Sequence, residues 1–352
     1  MEIMDRGRLR RFCLALALAG STPIAATGAS SGSGLDAVAR FDAALASGLP
    51  AQAGELTIRA RLAGGATYSD GLGAELYDVR FRDREALAVR HGDSLRIAST
   101  NDGRLHSTAY TAGQERAVET DIPLEGAPTG HPVDEEPPQD ADEPQADSPT
   151  DMAEPRDLHV FAFVHDDVAL DDGELFERFF AWWIKRMEFD VLEDRRIHVH
   201  LRRAIPGLTD ASYGHTGSLH RWGRAVRNYT DPYLPEPVAA PYIRHILLVK
   251  GKEVEPRAAG VANGQPGSLA MASTSGSVVV PAHEIGHMLG ASHGHSERRY
   301  TGPFSTCDTI MYPVDPTVPC KAYSLPNVKA IRDTMRYARS RGYDRDDGGM
   351  GL

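Results

Sequence analysis

Cysteine is scarce: three occur in 352 residues, and none lies between positions 14 and 306. That excludes a small scaffold stapled by several disulfides. Long apolar runs are missing as well. The run at residues 12–19 is too short for a bilayer, which takes about 20 residues. Basic residues are outnumbered, with 38 Lys+Arg against 49 Asp+Glu and a net charge of -11. A nucleic-acid binder that works by charge is therefore disfavoured. What is present, 41% hydrophobic and 25% charged residues, is ordinary for a globular chain and is enough for two cores.

The acidity is concentrated. Residues 121–157 hold twelve acids and one base, Arg156, which accounts for the whole net charge; the remainder is balanced. The same segment carries eight of the 23 prolines and almost no large apolar side chain. It cannot bury enough surface to offset its chain entropy, so a disordered, self-repelling linker open to proteolysis is expected there. Arg6, Arg8, Arg10 and Arg11, the short apolar run and the small residues up to Ala29 have the layout of a secretory signal over residues 1–29. Its removal leaves no stable membrane anchor and predicts a secreted or periplasmic protein. Between signal and linker, Leu56–Leu62 and Leu76–Arg82 alternate apolar and polar residues. Gly64-Gly65, Asp70-Gly71, Gly92-Asp93 and Asn101-Asp102-Gly103 read as turns. This predicts a small β-rich domain over residues 30–120.

From Leu158 strands and helices alternate. Leu158–Val164, Arg196–Leu201, His245–Lys250 and Ser268–Ser273 read as strands, with a looser edge segment near Gly260–Gly264. Helices are expected over Gly173–Phe189 and Ser218–Tyr229, and a third from about Ser277, a plausible N-cap, with Pro281 in its first turn. The stripe containing Trp182 and Trp183 reads as helix core rather than a ligand platform.

The third helix carries His283-Glu284-Ile285-Gly286-His287-Met288-Leu289-Gly290-Ala291-Ser292-His293. A spacing of four places His283 and His287 on one face, where two neutral imidazoles can meet one metal ion. Glu284 is placed to reach a water on that ion. Gly290 can take the left-handed conformation that ends the helix and brings His293 round as third ligand. Three nitrogen ligands leave one zinc position open, which is the pattern of a catalytic site.

With this long His-Glu-His-Gly-His spacing, followed by Thr309-Ile310-Met311-Tyr312-Pro313, the chain resembles the metzincins, zinc endopeptidases with a methionine-containing turn beneath the metal. The Ile-Met-Tyr-Pro text is most like that of the matrixins. The resemblance covers residues 158 to about 342 and implies an α+β, zincin-type catalytic domain with a twisted mixed sheet and three main helices. It implies one catalytic Zn2+, Met311 as its support, and protein or peptide substrates added as a strand near Val261–Met271. No nucleic acid is expected as a partner, and the sequence shows no calcium site. Pro313 stands where some relatives carry a further tyrosine ligand, and Tyr312 is expected to point elsewhere. His295 competes with His293 as ligand, and motif spacing favours His293. Glu297, Arg298 and Arg299 are read as solvated loop residues.

The implied activity is that of a secreted zinc endopeptidase with Glu284 as general base; the alternative is a catalytically silent zinc-binding interaction protein. Residues 30–120 are expected to be a propeptide, with a permanent accessory domain as the alternative. The lack of cysteine there means that latency cannot use a cysteine on the zinc, as matrixins do. Export permits a bridge between Cys307 and Cys320 around the methionine turn, worth roughly 3 kcal/mol, with two unlinked thiols as the alternative.

Overall fold

The computed structural model describes residues 36–123 (except 102 and 115–116) and 157–340 (except 232–241, 303–304, 314–317 and the side chains of 337–340). The expected signal and nearly all of the expected linker lie outside the described residues. Among the described residues no helix is long and apolar enough to cross a membrane.

One twisted mixed sheet runs through the whole molecule. Its front strands are β1 (Ala51–Ala53), β2 (Leu56–Thr67), β3 (Gly73–Phe81), β4 (Arg84–His91), β5 (Ser94–Asn101), β6 (Arg104–Thr111) and β7 (Val118–Pro123). They are joined to β8 (Leu158–Val164), β9 (Ile197–Arg202), β10 (Ile243–Val249), β11 (Gly260–Ala262) and β12 (Leu269–Ser273). The order is β11-β12-β10-β8-β9-β2-β3-β4-β5-β6-β7, with β1 on β2. Strands β8, β9, β10 and β12 are parallel and covered on both faces, which is why Leu158–Val164 reads as a continuous apolar run. The front strands are antiparallel and alternate.

The front strands therefore do not form a separate sheet. Gly65–Thr67 of β2 pair in parallel with His198–His200 of β9. This overturns the reading of Gly64-Gly65 as a turn: both glycines lie inside β2. A Cβ on Gly64 would come within 2.4 Å of the Ile197 carbonyl oxygen, so glycine is what lets the two strands approach. Gly92-Asp93, by contrast, is a turn: Gly92 has φ 49° and links His91 to its partner Ser94.

Among the described residues five helical segments accompany the sheet, against three main helices expected. The helix Ala37–Ala46 and the C-terminal helix Leu325–Ser340 are additions; the others are residues 172–191, Ser218–Val226 and Val280–Met288. Ala37–Ala46 is capped by Asp36, whose side chain accepts from Ala39 N, and lays Val38, Phe41 and Ala44 on the outer face of the front strands. Ser218–Val226 covers the opposite face of β8 and β10 through Trp222 and Leu219. The segment 172–191 opens with a capping box, Asp171 and Glu174, and alternates α-helical and π-helical turns. Phe176, Phe179, Phe180, Trp183 and Ile184 are fully buried, so this helix has no solvent face along much of its length. Its Trp182 and Trp183 belong to the core, as expected.

One apolar cluster explains that burial. It contains these aromatics, Val160, Ala162 and Ile246 of the central strands, Ile285 and Met288 of the helix Val280–Met288, and Leu62, Tyr68, Leu76, Val89 and Leu105 of the front strands. Each fully buried side chain of this size is worth about 1.5–3 kcal/mol.

Polar groups cross the same boundary. Arg96 pairs with Asp171 at 2.8 Å, and Ser107 donates to Glu177 at 2.8 Å. Burial pushes the Glu177 carboxyl up to about 7. The folded state therefore prefers the neutral acid. The stability this confers is complete below the unfolded value near 4.5 and is lost as pH rises through about 7. Glu177→Gln should accordingly gain on the parent protein between pH 5 and pH 8, by at most about 3 kcal/mol. Urea unfolding at the two pH values checks this; an unchanged difference refutes it.

Candidate metal centre

The helix Val280–Met288 begins later than the sequence suggests. Ser277 is not its cap: Ser277 O accepts from Val280 N, and residues 278–279 form a turn before the first helical residue. Pro281 sits in the first turn, where no intrahelical bond is lost. The helix ends in a paired hydrogen-bond motif, with Gly290 N on His287 O and Ala291 N on Gly286 O, both at 2.9 Å. Gly290 has φ 92°, the left-handed conformation expected of it. A Cβ there would also meet Thr334 Oγ1 of the C-terminal helix.

The reversal brings three imidazoles together. The Nε2 atoms of His283, His287 and His293 lie 2.9 to 3.1 Å from one another. Their outer nitrogens decide what that means. His283 Nδ1 lies 2.7 Å from Ile310 O and His287 Nδ1 lies 3.0 Å from Ala291 O. A carbonyl only accepts, so both Nδ1 atoms carry the proton, and the Nε2 atoms of His283 and His287 present lone pairs toward each other and toward His293. Those two lone pairs repel unless a cation or a proton sits between them. Zn–N bonds of about 2.1 Å at tetrahedral angles would put the nitrogens roughly 3.4 Å apart, a small expansion of the present spacing, so the donor set fits one small ion. Among the described residues this is the one group of three or more His, Cys, Asp or Glu able to hold a metal. His295 lies outside it. Burial and the neighbouring His293 push His287 down to about 4, so it is neutral at physiological pH, as a ligand must be.

Glu284 is 5% exposed, and burial pushes its carboxyl up to about 8. It lies against Gly260 of β11, where a Cβ would come within 2.3 Å of Glu284 Oε1. A cation at the three nitrogens would draw the carboxyl back toward ionisation. Among the described residues β11 pairs only with β12, which places the edge of the sheet at Gly260–Ala262 and β12 inside it.

Met311 is fully buried, and a Cβ on Gly286 would stand 2.5 Å from its sulfur. The methionine turn therefore seats on the helix between the two histidines, while its Ile310 carbonyl orients His283. Cys307 and Cys320 are bonded and close the chain around this turn. The Tyr312 ring turns away from the centre to Arg298, 5.1 Å off. Glu297–Arg299 are better ordered than the solvated loop expected of them. Arg298–Gly302 and Ser305–Asp308 form a two-stranded hairpin, and Arg298 pairs with Asp308 at 2.7 Å.

Three supporting residues have no counterpart in the motif reading, and a fourth, Gly286, has a role there that the motif did not reveal. Asn327 is fully buried, accepts from Ser292 N at 2.9 Å and donates to Ser292 O at 3.1 Å, fixing the residue before His293. Tyr323 accepts from Trp183 Nε1 at 3.1 Å and donates to Ala282 O at 2.7 Å. The Gln265 amide lies 2.8 Å from His287 Nδ1, whose proton goes to Ala291, so the amide oxygen is the atom that suits this position. Gly286 was visible inside the motif, but its seat for Met311 was not. The other three act across long sequence separations that leave no local pattern.

No family model and no curated protein matches the chain. A crystal structure of metalloproteinase-II from Bacteroides fragilis is similar in fold, with a TM-score of 0.53 and 14% identity over 79% of this chain and 86% of that one. That coverage exceeds what residues 158–352 alone could supply, so the likeness extends into the front strands. The chain shares a metalloproteinase fold.

Asn327→Ala should weaken metal binding at the three imidazoles by about 10–100-fold, the usual cost of losing a group that orients a ligand. Chelator competition measures it; an unchanged affinity would show that Ser292 needs no such clamp.

Proposed function

We propose that the chain is an exported zinc-dependent endopeptidase of the metzincin type. The observation that carries this is the convergence of three imidazole Nε2 atoms on one helix and its reversal, together with a buried carboxyl next to the first of them and a sheet edge at β11. In this reading His283, His287 and His293 hold the ion, Gly290 sets the reversal that delivers His293, and Met311 backs the centre. Bound there, zinc would polarise the scissile carbonyl and acidify a water. Glu284 accepts the proton of the attacking water and passes it to the departing amine. Its burial keeps bulk water from competing for that proton, and Gly260 leaves room for it to move. The peptide lies along β11, whose free backbone edge pairs with an extended chain and holds the scissile bond in register. The disulfide and the expected signal both suit an oxidising, extracytoplasmic compartment.

Glu284→Ala separates this activity from simple metal holding. The variant should retain one zinc per chain and lose about 10²–10⁴-fold in kcat/KM on casein or a peptide library. Zinc retention with undiminished cleavage removes Glu284 from the mechanism. A zinc-loaded parent protein that cleaves nothing favours the silent interaction protein instead.

A further inference from the structure

We infer that residues 36–123 are a permanent subunit of the working protein: a chain cut between residues 124 and 156 stays together as two tightly bound fragments, and the metal centre depends on the front one. The association part does not rest on the proposed activity; the metal part rests on the proposed zinc site.

Three independent features of the boundary support it. The first is the parallel pairing of β2 with β9, packed so closely at Gly64 that no Cβ fits. A detached front segment would turn β9, now an interior strand, into an open edge. The second is the shared core. Phe176 touches Tyr68, with ring centroids 5.9 Å apart, and both are buried in the cluster that also contains the ligand helix. Separation would bare a large apolar face on both fragments, beyond what a soluble monomer exposes. The third is charge. Lys185 pairs with Asp78 at 2.6 Å, and Ser69 donates to Asp172 through its amide at 2.7 Å and its hydroxyl at 2.6 Å. Parting would strip Lys185 and Ser69 of these partners and leave the buried Glu177 without Ser107 and Arg96, while Asp78 and Asp172 would keep Arg59 and Arg203 within their own fragments.

The boundary is also wired to the metal centre. The helix at 172–191 presents Phe176 to the front strands, and farther along it Trp183 bonds to Tyr323, which bonds to the carbonyl of Ala282 beside His283. Two hydrogen bonds thus separate this shared helix from the ligand helix. A loss of the front fragment frees one side of the shared helix, and with it the support behind the histidines. A propeptide that leaves after a cut is the opposite expectation.

The test uses the full chain with a site-specific protease sequence inserted between Pro138 and Gln139. After complete cutting, both fragments should elute from a native size-exclusion column at the volume of the uncut protein at about 1 μM, separate only in denaturant, and retain one zinc per complex. The same cut on Gly64→Val should part at a lower urea concentration. Elution of the front fragment by itself overturns the inference whatever the state of the remainder, and an unchanged parting concentration in Gly64→Val overturns the role given to the strand junction. A rear fragment that, separated in denaturant and refolded alone, holds zinc as tightly as the uncut chain overturns the dependence of the metal centre on the front fragment. An uncut chain that binds no zinc refutes the metal reading alone, because co-elution is read without zinc or activity.

Discussion

Three imidazole Nε2 atoms held about 3 Å apart are the constraint on which the rest of the site depends. Two of them face one another as lone pairs, so the convergence must be imposed by the surrounding covalent and hydrogen-bonded structure. The helix supplies two of the rings at one-turn spacing, and the Gly290 reversal supplies the third. Carbonyls of Ile310 and Ala291 fix the protons of two rings on the outside. Asn327, reaching in from the C-terminal helix, fixes the backbone before the third. Each of these is a neutral hydrogen bond of modest net worth, about 1 kcal/mol, but together they hold the rings against their own repulsion. The disulfide shortens the path by which the methionine turn could drift from the helix.

This imposed geometry needs a stiff backing, and the helix at 172–191 provides it. An aromatic-rich helix buried all round transmits displacement rather than absorbing it, because close-packed cores have few voids. Its alternating α and π turns let consecutive Phe and Trp residues face different neighbours: the front strands on one side, Tyr323 and the ligand helix on another. The molecule therefore has one main core serving two sequence regions.

The metal triad, its glycine reversal, the methionine turn and the central strands were legible in the sequence because each is local. Residue types at fixed short spacings decide them, and helix or strand periodicity carries the signal. The fusion of the front strands with the rest was not legible. Gly64-Gly65 carries the same letters whether it makes a turn or a close strand contact, and only the partner, Ile197, distinguishes the two. Ala37–Ala46 is short, and its apolar stripe of Val38, Phe41 and Ala44 is easily lost beside strand-like text. The helix Leu325–Ser340 is rich in charge on its outer face, so its buried residues Val328, Ile331 and Met335 stand out only once their neighbours are known. Asn327 and Tyr323 belong to the same class: their roles are set by contacts that sequence spacing does not encode.

Gly260 links the Glu284 carboxyl to the sheet edge. Because Glu284 packs directly on its backbone, any larger residue at this position would displace the carboxyl and distort β11 together. The edge strand and the carboxyl are thus one geometric unit. On the proposed reading, a peptide pairing with the outer side of β11 lies one strand spacing away, about 4.8 Å. The same backbone that sets substrate register then also sets the distance over which Glu284 moves a proton. A base held on a flexible loop would need separate ordering for each substrate; here the sheet has already fixed it, and the remaining freedom is that of the carboxyl alone.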